Sequence, residues 1–320
     1  MRDEHLGSPD RFNWIRSPWR QATLATSFSA TGIGLHGGET TRVTAHPAPA
    51  DTGRVVRRNG QDIPALWTHR VQQYLCTGIR SDTGAIVRTV EHLLAGLSVF
   101  GIDNALIEID GDELPILDGS AIPWCHAILK AGVFEQDAPR IHLRMVEPVE
   151  VREPAGSWLR IEPADAFSIS VTADPPGFGM LTWDGEPTPW TFLCDIAPSR
   201  SHGPILSFPW KLFFGATRQP KLRGAGLATV GLTFRGRYIN GMRVPDEPVR
   251  HRVLDLIGDL ALTGAPLIGR VTGHRPRHDL NNLLVAAIMQ RPQAWQCVLL
   301  DDAGEPDLRT SGRPRFEPAR

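Results

Sequence analysis

The four cysteines, Cys76, Cys125, Cys194 and Cys297, are widely spaced and form no CxxC pair. Neither a disulfide framework nor a cysteine zinc knuckle is therefore expected, and a reducing cytoplasm fits best. Long apolar runs are missing as well. Nothing approaches the ~18 consecutive apolar residues of a membrane-spanning helix, and the opening MRDEHLGSPDRFNWIRSPWR breaks any apolar stretch with charges and prolines, unlike a secretory signal. An excess of charge of one sign is also lacking. A formal net charge of −1 provides no basic face for nucleic acid, so any anion site must be local. No GxxxxGK[ST] pattern is present, and neither a P-loop nor a Rossmann nucleotide site is expected.

What is present is an ordinary globular chain, 41% hydrophobic and 22% charged. A length of 320 residues suggests two domains. Residues 1–20 read as a loose extension, 21–135 as a first domain, 136–302 as a second and 303–320 as a tail. The boundary falls in the polar, proline-containing FEQDAPR, Phe134 to Arg140, after Gly132. TRVTAHP and NALIEID read as strands, and Val90, Leu93, Leu94 and Leu97 share one helical face before Gly101. A second helix is expected across AIPWCHAILKAG, followed by strands in IHLRMVEPVEV and WLRIEP. Pro175 to Trp190, dense in Pro and Gly, should be a long irregular connection. Helices are expected from about Val249 to Thr263 and from about Leu280 to Met289. Strands preceding helices in each half predict an α+β fold, without a convincing internal sequence repeat.

Three constellations carry possible chemistry. In Thr89-Val90-Glu91-His92-Leu93-Leu94, neighbours on a helix diverge by about 100°. His92 can thus contact a metal while Glu91 reaches the water that the metal acidifies. A surface or satisfied-core pair would explain the same dipeptide. In the segment from Arg250 to Asp259, spacings of four residues align His251, Asp255 and Asp259 on one helix face. A solvated stripe is the alternative reading. The loop from Thr272 to Asn282 joins two histidines and two arginines to the start of a helix, which suits an anion site or a proton donor. Asp279 or a neighbouring Asn could simply cap that helix. Pooled, these residues supply the kind of inventory that a catalytic zinc site needs, but spacing alone does not make them converge.

The segments TGIGLHGG, LCTG, TVEHLLAGLSVFGIDNALIEIDGDELPILDGSAIPW, VRHRVLDLIGDL, PLIG and GH...HDLNN follow one another between about Leu24 and Trp295. In that order they resemble the LpxC family, the UDP-3-O-acyl-N-acetylglucosamine deacetylases of lipid A biosynthesis. The resemblance implies two two-layer α/β sandwich domains of similar architecture with the active site between them. It implies zinc held by His92, His251 and Asp255, Glu91 as general base, and His278 as the acid that protonates the departing amine. Asp259 would stabilise the cationic His278. By the same resemblance Ser201 would support the oxyanion, and His36, Cys76, His202, Arg252 and Arg275 would lie on the substrate side. The implied partner is a UDP-linked acylated amino sugar, and the implied reaction is the committed step of the pathway.

The chain departs from the family pattern where substrate recognition should lie. The family usually reads Arg-Thr-Phe-Gly, whereas this chain has Arg200-Ser201-His202-Gly203-Pro204, with Ser207 in the place of a family aspartate. Pro276 and Arg277 replace smaller residues before His278. Ile205, Leu206, Phe208 and Trp210 could line an acyl passage or simply pack. Two further readings follow: a diverged zinc deacetylase of another N-acylated sugar or nucleotide-sugar, and a metal-containing UDP-sugar-binding protein without turnover.

Overall fold

The computed structural model describes residues 19–204, 222–300 and 306–307. The N-terminal extension, Ser207, the apolar residues from Ile205 to Trp210 and most of the C-terminal tail lie outside the described residues. Strand Thr40–Pro47 alternates as expected, burying Thr41, Val43 and Ala45 against the core while Thr40 and Arg42 face water. It sits second in a five-stranded sheet ordered Phe28–Ile33, Thr40–Pro47, Ala105–Ile109, Arg54–Arg58, Gln61–Pro64. Only the pairing of Arg54–Arg58 with Ala105–Ile109 is parallel. Gly32-Ile33-Gly34-Leu35-His36-Gly37 has GxGxxG spacing, but it leads from one antiparallel strand of this sheet to the next, with no helix following. That context is not the strand–turn–helix in which such glycines bind a dinucleotide.

A second five-stranded sheet is ordered Val149–Arg152, Trp158–Glu162, Arg270–His274, Ser168–Ala173, Leu181–Gly185. Here too the late strand, Arg270–His274, inserts third and is parallel only to its fourth-place neighbour. The two sheets therefore share one topology although the sequence shows no repeat.

Five α-helices accompany these two sheets among the described residues: α1 (Glu91–Val99), α2 (Ile122–Ala131), the single turn α3 (Pro189–Thr191), α4 (Glu247–Leu260) and α5 (His278–Met289). From Glu91 to Leu97 every residue of α1 is buried, as befits a helix covered on all sides. It packs along α4, which in turn lies on strands Ser168–Ala173 and Leu181–Gly185, while α5 covers Val149–Arg152 and Trp158–Glu162. One apolar cluster runs continuously through both halves. At the crossing of α1 and α4 a Cβ on Gly258 would lie 2.2 Å from the Glu91 carbonyl oxygen, so only glycine permits this approach.

Two expectations are corrected. The polar segment chosen for the boundary is itself a strand, Val133–Pro139, paired antiparallel with Arg20–Leu24. The connection expected from Pro175 to Trp190 contains the strand Leu181–Gly185, anchored by the buried Trp183, whose indole N–H donates to Asp195 at 2.8 Å. Both are outermost strands of their sheets, where polar and turn-forming residues cost little.

Candidate active site

Glu91 and His92 open α1, and the turn before them is unusually constrained. Thr89 holds a left-handed backbone, φ 59°, and its hydroxyl donates to the buried Glu113 carboxylate at 3.0 Å. Glu113 also accepts from the backbone N–H groups of His36 and Gly37, both at 2.8 Å. The glycine-rich turn and the start of α1 are thus clamped by one side chain. Glu91 faces inward, accepts from the Thr77 N–H at 3.1 Å, and is pushed up to about 7 by burial, against the pull of His278 and His92.

The face of α4 predicted from spacing is present, but it is buried rather than solvated. His251, Asp255 and Asp259 are 4%, 1% and 0% exposed, which removes the surface-stripe alternative. One donor atom each from His92, His251 and Asp255 lies within 4.8 Å of the others. His92 Nε2 and His251 Nε2 stand 3.7 and 3.5 Å from Asp255 Oδ1. Ligands held ~2.0–2.2 Å from a tetrahedral ion would sit roughly 3.3–3.6 Å apart. Both Asp255 oxygens are buried without a hydrogen-bond partner. An ionised carboxylate in that condition calls for a cation. Burial opposes its charge, yet His251, His278 and His92 together hold Asp255 well below the usual carboxylate range. His251 is driven down to about 3, chiefly by burial, and is therefore neutral. With Nδ1 3.4 Å from the Ser199 carbonyl, its Nε2 faces Asp255. This donor set fits a divalent metal of the zinc type.

His278 starts α5 and completes the group. Its Nδ1 lies 3.0 Å from Asp259, and its Nε2 3.8 Å from Glu91 and 3.7 Å from Asp255. Burial works against a charged ring, but Asp259, Asp255 and Glu91 prevail and raise His278 to about 10. Asp259 is itself fixed by the Thr77 hydroxyl and by Asn281 Nδ2, the latter at 2.9 Å. Asp279 does not cap α5; the Arg277 cap position makes no side-chain bond, and Asp279 pairs with Arg70 at 3.1 Å.

Ser201 is brought beside the triad, its Oγ 3.2 Å from His251 Nε2. Glu247 holds it there: this fully buried carboxylate accepts from the Arg200 N–H at 2.9 Å and pairs with the Arg200 guanidinium at 2.8 Å. Glu91, His92, Ser201, His202, His251, Arg252, Asp255 and His278 all line a cavity of about 330 Å³. Leu35, Tyr74, Leu75, Ile116, Leu222 and Val230 give its walls their apolar character. His202 is held neutral, driven down to about 3 by burial, and its Nδ1 has no partner.

Three expected residues stand back from this lining. Cys76 is buried, and burial, with Glu91 adding to it, keeps its thiol well above the ordinary range, which excludes a thiolate nucleophile. His36 is buried with its ring edge-on to Tyr74. Arg275 is half-exposed and ion-paired with Asp174. Sequence reasoning missed Thr77, Glu113, Glu247 and Asn281, whose roles as supports depend on partners distant along the chain.

The sequence model of one family, described as UDP-3-O-acyl N-acetylglycosamine deacetylase, matches residues 21–290. The chain belongs to the LpxC family. Among its relatives, the UDP-3-O-acyl-N-acetylglucosamine deacetylase of Chromobacterium violaceum is 36% identical over 295 residues, covering 88% of this chain and 94% of the relative. Proteins of the same description from Neisseria gonorrhoeae and Acidithiobacillus ferrooxidans are 35% and 38% identical, over 89% and 87% of this chain and 95% and 93% of theirs. Membership in LpxC extends across both sheets and all the residues of the buried cluster. No helix among the described residues is long and apolar enough to cross a membrane.

Proposed function

We propose that the chain is a zinc-dependent amidohydrolase that converts UDP-3-O-acyl-N-acetylglucosamine to UDP-3-O-acyl-glucosamine and acetate, the committed step of lipid A biosynthesis, in the cytoplasm. The observation that carries this reading is Asp255, a buried carboxylate with neither oxygen hydrogen-bonded, beside two imidazoles and between a base and an acid. His92, His251 and Asp255 would hold the zinc. When bound, zinc would polarise the acetamide carbonyl and acidify the attacking water. Glu91 accepts the proton of that water as its oxygen bonds to the carbonyl carbon. Ser201, 3.2 Å from His251, is placed to donate to the oxygen that gains charge. His278 gives its Nε2 proton to the sugar nitrogen as the carbon–nitrogen bond breaks, releasing a neutral amine and acetic acid, whose remaining proton returns to the neutral His278 as acetate departs. Asp259 keeps that proton on His278 until it is needed.

On the substrate side, Arg252 stands at the cavity with its guanidinium 3.7 Å from Asp255 and would meet the diphosphate. Arg275, His36 and Cys76 would act from behind the lining. We assign residues 21–135 to one domain, contributing Glu91 and His92, and 136–302 to the other, contributing His251, Asp255, Asp259 and His278.

The second reading, a diverged deacetylase of another N-acylated sugar, is favoured by one observation: His202, half-buried and neutral, lines the cavity where the family carries an aromatic ring. Acetate release from purified protein supplied with UDP-3-O-acyl-N-acetylglucosamine tests both. Turnover of that substrate is expected; turnover only of a different N-acylated sugar would replace the first reading with the second. Stoichiometric UDP-sugar binding without turnover of either would favour a binding protein.

A further inference from the structure

We infer that the chain carries a second ligand site, separate from the catalytic cavity, for a small amphipathic monocarboxylate. A cavity of about 330 Å³ lies between the two halves and shares no lining residue with the catalytic one. Val99 lines it from the end of α1 and Leu260 from the end of α4, with Phe167 and Leu267 extending the apolar wall. Its polar side is Arg140 and His142.

The local charge is unbalanced toward the positive. Arg140 pairs with Asp103 at 2.9 Å, and the buried Arg54 feels the charges of both. Arg54 itself bonds to backbone carbonyls rather than to a carboxylate. Arg54 donates to the carbonyls of Ile102, at 2.8 Å, and Ala261, at 3.5 Å, and Ala261 lines the cavity. The carbonyl ends of α1 and α4 would oppose an anion. They are muted by this guanidinium and by the N–H groups of Phe100 and Gly101, which donate to Gly96 and Ser98 at 3.0 and 3.2 Å. His142 is 6% exposed, neutral, and leaves Nδ1 without a hydrogen-bond partner. A carboxylate on Arg140 beside His142, with its carbon tail along Val99, Leu260, Phe167 and Leu267, satisfies both the charge and the apolar wall. At ~30 Å³ for each atom of water size, the space holds roughly ten heavy atoms, about the size of octanoate. Its lining joins the ends of the two helices that begin with, or bear, Glu91, His92, His251 and Asp255.

Calorimetric titration of octanoate tests this in zinc-loaded and in chelated protein. Saturable one-to-one binding is expected, equal with and without zinc, because the site does not use the metal. Octanol should bind about tenfold more weakly, as should octanoate to Arg140→Gln, each having lost a charge-assisted hydrogen bond. Ala265→Trp, which fills the cavity from its rim, should abolish binding. Absence of saturable binding, equal affinity for octanol, or binding that requires zinc overturns the proposal. The octanol and zinc comparisons need no substitution, so a variant that fails to fold leaves the test intact.

Discussion

At the scale of the residue, the proposed reaction sets protonation states in opposition. It needs Glu91 ionised to accept a proton and His278 charged to give one, so activity should rise as Glu91 ionises and fall as His278 loses its proton. The protein environment places these at about 7 and about 10. A dication at the triad favours the carboxylate and disfavours the imidazolium, so both limbs should move to lower pH when metal is bound. Asp259→Asn removes the foremost charge that stabilises cationic His278. The alkaline limb of kcat/KM should then fall by about one unit or more, while the acid limb shifts less. A pH–rate profile checks this, and an unchanged alkaline limb would detach Asp259 from the role assigned here. His278→Ala should cut turnover roughly 10²–10⁴-fold with bound zinc near its wild-type level, whereas Asp255→Ala should lose the metal itself. Zinc content measured beside turnover separates the two. The residue types of this site were legible in the sequence, and His251, Asp255 and Asp259 could be placed on one helix face from spacing alone. Convergence with His92 and His278 was not, because His92 lies 159 to 186 residues before His251 and His278, and His278 returns to Asp259 across a turn between helices, contacts that spacing does not reveal. Thr77 and Glu113 stand in the segments that carry the resemblance, but their roles were not legible, since a hydroxyl and a carboxylate in strands and turns look like ordinary polar positions until their partners arrive.

At the scale of the element, α1 and α4 carry the site and Gly258 sets their separation. Gly258→Ala would push a methyl group into the Glu91 carbonyl. It should destabilise the fold by about 1–3 kcal/mol and reduce turnover by displacing Glu91 and His92 from α4. Thermal unfolding and zinc affinity measured together check this; a variant of wild-type stability and activity would show that the helices can part without harm. These helices were readable in the sequence, α4 to within three residues at each end. The strands Leu181–Gly185 and Val133–Pro139 were hidden by Pro, Gly and charge. Edge position explains that failure: an outermost strand needs only one buried face, and in Leu181–Gly185 the single buried Trp183 suffices.

At the scale of the whole molecule, two sheets of one topology bring their helices together, so that the proposed metal ligands are gathered from both halves of the chain. The sequence contains no visible repeat because what repeats is strand order and burial, which many residue combinations satisfy. Family membership covers both halves, while the departures at Ser201 and His202 concern one wall of the cavity. His202→Phe should therefore leave zinc binding unchanged and alter KM more than kcat for the acylated UDP-sugar, measured by initial rates. The account as a whole stands on one buried cation site coupled to one hydrolysis. Chelated protein titrated with zinc, with acetate release from UDP-3-O-acyl-N-acetylglucosamine followed at each addition, addresses that claim most directly. Activity should be absent without metal and climb to a plateau at one zinc per chain; full turnover in the metal-free protein, or none at any zinc occupancy, would contradict it.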